Sequence, residues 1–217
     1  MKITASFAAA ALATLLPVLA GTAAAEEGTL EKIARTGEFV IGYRTDSLPL
    51  SFQDRQGRPA GYSVDLCRRI GERVRQHFAD EDIKVKFVPV SSEERIAAVV
   101  DGTIDIECGS TTVTLSRHER VDFSLPTFVT GASFVSLKGS GIQDTANLTG
   151  KRIAVAKGTT TEQKLRAYLA ETAIDAEIVI VGDRTEGWAR LNQDNVDAMA
   201  SDQIVLIGLI MSSQDPT

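Results

Sequence analysis

The sequence predicts an α/β protein built as two units, each around a mainly parallel sheet. Three observations carry that prediction. Apolar runs with strand period alternate with runs at helical spacing. The same style resumes after Thr127–Thr130, so the chain reads as two α/β units joined there. The strands end in glycine, hydroxyls or arginine, where open α/β sheets hold small ligands.

The elements follow in order. Thr29 to Thr36 is expected as a helix with Leu30, Ile33 and Ala34 on one face, stopped by Gly37. Glu38 to Tyr43 is a strand. Leu48 to Gly61, with two prolines and two glycines, is a loop or hairpin. Asp65 to Phe78 is an amphipathic helix and Ile83 to Val90 a strand. Ser92 is expected to cap a helix reaching Val100, with Arg95 at its third position. Ile104 to Glu107 is a buried strand, followed by Gly109, Ser110, Thr111 and Thr112. In the second unit, Ala132 to Leu137, Arg152 to Ala156, Ala176 to Val181 and Asp197 to Ala200 are strands. Ile142 to Leu148 and Arg184 to Leu191 are helices, and the run Lys157 to Glu162 opens another that continues to Tyr168. Gly158 to Thr161 opens a helix, where free N–H groups and the helix dipole favour an anion. An ordinary capped helix reads equally well there.

Lys2 and the apolar, small-residue stretch Ile3 to Ala20 lead to Ala23-Ala24-Ala25 and two acids. That is a secretory signal peptide, with cleavage after Ala25, implying export to the periplasm. The stretch is short and alanine-rich for a membrane anchor. Without Lys2, 22 basic residues face 29 acidic ones, a net charge of −7. That balance argues against nucleic acid or an anionic membrane as partner. An anionic ligand has to be held by local arginines.

Two such arginines stand where strands or helices begin or end: Arg44, in Tyr43-Arg44-Thr45-Asp46-Ser47, and Arg95, one helical turn from Ser92. With the hydroxyls after residue 108 they suggest a site for a small anion. Export permits a disulfide between Cys67 and Cys108, the two cysteines of the chain. Spacing does not decide it, and two unpaired thiols, with Cys67 a buried core residue, is the favoured expectation. His77 and His118 sit in charged contexts as surface residues, and no cofactor or metal motif is present.

With these residues in place, the chain resembles the bacterial periplasmic solute-binding proteins of polar-amino-acid ABC importers, solute-binding family 3. Within them it is most similar to glutamate/aspartate-binding proteins. The family pattern stands here as Thr114-Leu115-Ser116-Arg117 and Val121-Asp122-Phe123-Ser124-Leu125-Pro126. The acidic-amino-acid branch is marked by Gly42-Tyr43-Arg44, Ser92-x-x-Arg95, Glu107-Cys108-Gly109-Ser110-Thr111-Thr112 and Gly158-Thr159-Thr160. The resemblance covers residues 28 to about 206 and implies a two-lobed periplasmic-binding-protein type II fold closing on its ligand like a clamshell. Lobe 1 would span residues 26–127 and lobe 2 residues 128–217.

The resemblance also implies roles. Arg95 would hold the α-carboxylate of L-glutamate or L-aspartate, with Ser110 and the helix start at Thr159 and Thr160. Asp202 would pair with the ammonium, together with Thr112. Arg44 and Ser92 would take the side-chain carboxylate. The partner would be an inner-membrane ABC permease, the protein a monomer, and no cofactor is implied. Where relatives place a histidine near the distal carboxylate, this chain has Arg184, which either adds charge to the pocket or points to solvent. Family members continue with segments that return to the first lobe, whereas this sequence stops after the apolar run Ile204 to Met211, so a C-terminally incomplete fold is expected.

Two other classes of function compete with this reading. An enzyme on the same fold, such as a dehydratase, would have Glu107 as its candidate acid. No nucleophile or base stands beside it, and a structural carboxylate is the weightier reading. A ligand-sensing module is the other, and no fused kinase or membrane segment supports it in this chain. A non-enzymatic binding protein is the expectation.

Overall fold

The computed structural model describes residues 27–80 and 82–213. The expected signal peptide lies outside them. Among the described residues no helix is long and apolar enough to cross a membrane.

Two parallel-type sheets organise the chain. In the first, β1 (Glu38–Tyr43) is central, flanked in parallel by β5 (Lys84–Pro89) and β6 (Ile106–Cys108). In the second, β8 (Arg152–Ala156) and β10 (Ala198–Asp202) pair in parallel, with β9 (Glu177–Val181) parallel to β8 on one side. The other edge, β7 (Ala132–Val135), runs antiparallel to β10. Between β1 and β5 the expected hairpin is a small antiparallel sheet of β2 (Asp46–Ser47), β3 (Ser51–Gln53) and β4 (Pro59–Ala60).

Strand β8 shows why the second sheet forms. Ile153 and Val155 pack into one apolar cluster, Ala154 and Ala156 into another, so both faces are covered. A strand buried on both faces reads as a continuous apolar run, and IAVA is one. The first lobe buries Ile33, Phe39, Ile41, Val74 and Ile83 between its sheet and α1 (Thr29–Thr36) and α2 (Tyr62–Phe78). Trp188 packs against the second-sheet core, as expected. His77 and His118 are exposed.

Several expectations need correction. Cys67 and Cys108 are joined in a disulfide, not left as thiols. Cys67 faces inward from α2 and Cys108 points from β6 into the same apolar cluster, with Cα atoms 6.4 Å apart, inside the range a disulfide spans. Ser92 caps nothing. The helix α3 (Arg95–Val100) starts three residues later, with Glu94 at its N-cap and no side-chain cap bond, so Arg95 is its first residue. The Glu94 N–H donates instead to the Ser91 hydroxyl, which frees Ser92 for a partner elsewhere. The third strand of the first sheet pairs only from Ile106, since Ile104 is buried but lies outside the ladder. Ile142–Leu148 is helical only over its last four residues, as a 3-10 turn that Asp144 caps. The apolar run at Ile204 is a helix, α7 (Gln203–Ser212). A short helix, α4 (Leu115–His118), forms from the family-like segment, with Thr114 accepting from the Arg117 N–H at its start.

Candidate ligand site between the two sheets

Five strands aim their carboxyl ends at one region. Beyond β1 comes Arg44, beyond β6 Gly109 to Thr112, beyond β8 Lys157 to Thr159, and beyond β9 Gly182 to Arg184; β10 itself ends at Asp202. Helices α5 (Thr160–Thr172) and α6 (Arg184–Asn192) start there, capped by Thr159 and Asp183. A cavity of about 350 Å³ opens beside Arg44, walled by Thr45, Pro89, Val90 and Ser91 from one lobe and Gly182 and Asp183 from the other.

Arg44, Arg95 and Arg184 are 1%, 2% and 2% exposed. Burying a guanidinium is costly unless it is paired, so each demands a partner. Arg44 donates from Nε and Nη2 to Asp46 Oδ1, at 3.2 and 2.7 Å, while its Nη1 has no partner among the described residues. Arg184 uses all three nitrogens: Nε to the Ser201 hydroxyl at 2.9 Å, Nη1 to the Ser47 hydroxyl at 3.0 Å, and Nη2 to Asp202 at 3.5 Å. Its backbone N–H donates to Asp46 Oδ2 at 2.9 Å, so Asp46 joins arginines from both lobes. Burial pushes the Asp46 carboxyl up, but Arg184 and Arg44 outweigh it and hold the carboxyl below its usual range.

Arg95 is different. Its Nε and Nη1 are buried with no hydrogen-bond partner among the described residues. Burial drags its pKa down to about 10, with Glu107 opposing and Arg44 and Arg117 adding to the fall. Glu107 is equally unfinished: Oε2 accepts from the Thr111 hydroxyl at 2.8 Å, and Oε1 is buried without a donor.

Of the remaining site residues, Ser92, Thr112 and Thr160 stitch the lobes together. Ser92 donates to the Lys157 carbonyl at 2.8 Å, and the Thr112 and Thr160 hydroxyls meet at 3.1 Å. Thr159 is occupied by its cap, accepting from Glu162 N–H and donating to the Ala156 carbonyl. Ser110 donates to the Ser47 hydroxyl at 3.3 Å. Gly158, at φ +73°, lies so close that a Cβ there would come within 2.9 Å of the Glu93 Cα. All nine sequence-predicted residues thus surround one region. Arg184 faces inward, which settles an alternative left open by the sequence.

Sequence reasoning passed over Asp46, Ser47 and Arg117 as site residues. Asp46 was legible: two residues beyond Arg44 in an extended segment, it falls on the same face. Arg117 was quoted only as part of a motif. Its guanidinium crosses between the lobes, donating to the Thr112 carbonyl at 2.7 Å and the Gly158 carbonyl at 3.3 Å.

Residues 39–180 match the bacterial extracellular solute-binding proteins, family 3. The chain belongs to that family. The glutamate/aspartate import solute-binding protein of Salmonella typhimurium is 36% identical over 203 residues, covering 91% of this chain and 67% of its own. The L-glutamate/L-aspartate-binding protein of Pseudomonas aeruginosa is 36% identical over 190 residues, covering 87% and 63%. This family member spans about two thirds of the length of those relatives. Among solved structures, an ABC transporter periplasmic binding protein from Brucella ovis with glutathione bound superposes with a TM-score of 0.77 at 27% identity, covering 88% of this chain and 60% of that one.

Proposed function

We infer that this protein is the periplasmic substrate-binding component of an ABC importer, and that its ligand is an acidic L-amino acid, glutamate or aspartate. One observation carries the reading: Arg95 is buried with two guanidinium nitrogens left unpartnered. A buried cation with free donors is stabilised only when an anion completes it, and a carboxylate matches its planar fork. Arg95 takes the ligand's α-carboxylate, with Ser110 and the N–H groups at Thr159 and Thr160 beside it. Asp202, whose Oδ1 makes no hydrogen bond among the described residues, accepts from the ammonium alongside Thr112. Arg44, through its free Nη1, and Ser92 serve the side-chain carboxylate.

The buried donors left over also favour an acidic ligand: Arg95 Nε and Nη1 and Arg44 Nη1 have no partner among the described residues, enough to meet two carboxylates. The relatives named for glutamate and aspartate binding point the same way. Closure of lobe 1 (residues 26–127) on lobe 2 (residues 128–217) around the ligand supplies the clamshell step, and the delivered amino acid passes to an inner-membrane permease. No nucleophile or base accompanies Glu107, which favours binding over turnover.

Isothermal titration of the full chain against twenty amino acids tests this. Saturable binding of glutamate and aspartate alone is expected. Equal binding of neutral or basic amino acids, or a folded protein that binds no acid, overturns the reading. Turnover of a prephenate-like substrate would replace it with the enzymatic one.

A further inference from the structure

We propose that Asp46 is a side-chain-length determinant: its carboxylate, clamped between Arg44 and Arg184, closes the distal end of the site, so the site takes L-aspartate in preference to L-glutamate. This rests on the acidic-ligand reading above and deepens it.

The Asp46 carboxylate already contacts the two arginines, Arg44 and Arg184, that a ligand's distal carboxylate would seek. Both of its oxygens are taken, Oδ1 by Arg44 and by the Ser47 hydroxyl at 3.2 Å, Oδ2 by the Arg184 N–H, with Arg184 Nη1 at 3.7 Å. Each nitrogen of the Arg184 guanidinium already donates to an acceptor within the protein. Although the residue adds a cation to the site, that cation is spent within the protein. Among the described residues the free buried arginine donors are Arg44 Nη1 and Arg95 Nε and Nη1, so the two ligand carboxylates are placed between these two side chains, short of the Asp46–Arg184 contact.

A side chain one methylene longer carries its carboxylate into Asp46, against a like charge, or towards the cavity beside Arg44. There the walls hold no cation other than Arg44, and Asp183 adds an anion. To be accommodated, glutamate would have to part Asp46 from Arg184 and so break a contact that spans the two lobes. One misplaced methylene in a shaped site is worth about 10-fold to 200-fold in affinity.

The test is calorimetric titration of the full chain with L-aspartate and L-glutamate, then of Asp46→Ser and Asp46→Asn. Wild type is expected to bind aspartate at least about 10-fold more tightly. Asp46→Ser vacates the space and frees Arg44 Nε and Nη2 and the Arg184 backbone N–H, so its glutamate affinity should rise and the ratio should fall to unity or invert. Asp46→Asn keeps the shape and removes the charge, and narrows the ratio less. Glutamate bound as tightly as aspartate by wild type overturns the proposal and leaves the acidic-ligand reading standing. So does a ratio unmoved in folded Asp46→Ser. If that variant does not fold, the wild-type ratio and Asp46→Asn still decide. Failure to bind either acid removes both.

Discussion

Replacing Arg95 with methionine should make the empty protein more stable while abolishing ligand binding. Arg95 makes no side-chain hydrogen bond to the described residues and is 2% exposed. The fall of its pKa from the ordinary arginine range to about 10 corresponds to about 3 kcal/mol carried by the charged form in the folded state. At pH 7 folded and unfolded chains both hold the proton, so that cost is present in full. It is relieved only as the pH climbs past about 10, where the folded state begins to release the proton and the unfolded state still holds it. Methionine has a similar reach without the charge, and replacing a buried ion with an apolar side chain is commonly neutral or stabilising. Glu107 loses an opposite charge in the exchange, so a net gain of about 1 to 3 kcal/mol is expected. Urea unfolding with and without saturating L-aspartate reads both halves. Wild type should gain about 2.7 kcal/mol at a hundredfold excess of ligand over Kd, and the variant nothing. A variant less stable than wild type by more than about 1 kcal/mol would mean that the protein itself satisfies Arg95, and the reasoning would fail.

Other outcomes follow from single contacts. Gly158→Ala places a Cβ within 2.9 Å of Glu93 Cα at a φ of +73°, so the lobes are held apart; ligand affinity should fall about 10-fold or more by titration, with a larger radius of gyration in scattering. Replacing both cysteines with alanine opens a loop of sequence separation 41 and should cost about 4 kcal/mol, seen as a drop of roughly 8–16 °C in Tm. Asp46 is held below its usual range, so its pairing stabilises the folded state at neutral pH and is lost only as the pH falls through that depressed value. Asp46→Asn should therefore flatten the acid limb of the stability profile, and an unchanged limb would remove Asp46 from the pairing.

Much of the fold was legible because burial on both faces leaves a mark. The run IAVA of β8 could hardly be anything but a covered strand, and Thr29–Thr36 carried its own stop in Gly37. The site residues were readable as types: arginine and hydroxyls at strand ends are expensive to place unless something binds there. Pairing was not readable. Ser92 has the spacing of a helix cap, yet its hydroxyl finds a carbonyl 65 residues away, which no local pattern encodes. Cys67 reads as a core residue and Cys108 as the end of a strand beside the site, since a helix face and a strand face reveal their proximity only when packed. Arg184 gave no sign of its direction, because its partners Asp46 and Ser47 lie about 137 residues upstream.

Both ends of the Cys67–Cys108 bond lie before the first strand of the second sheet. Synthesis proceeds from the N-terminus, so in an oxidising compartment this crosslink can close while residues beyond 108 are still arriving. The first lobe then becomes a covalently tied template, and the cleft is finished when the later half settles against it. The order of manufacture is thereby written into the position of two sulfur atoms.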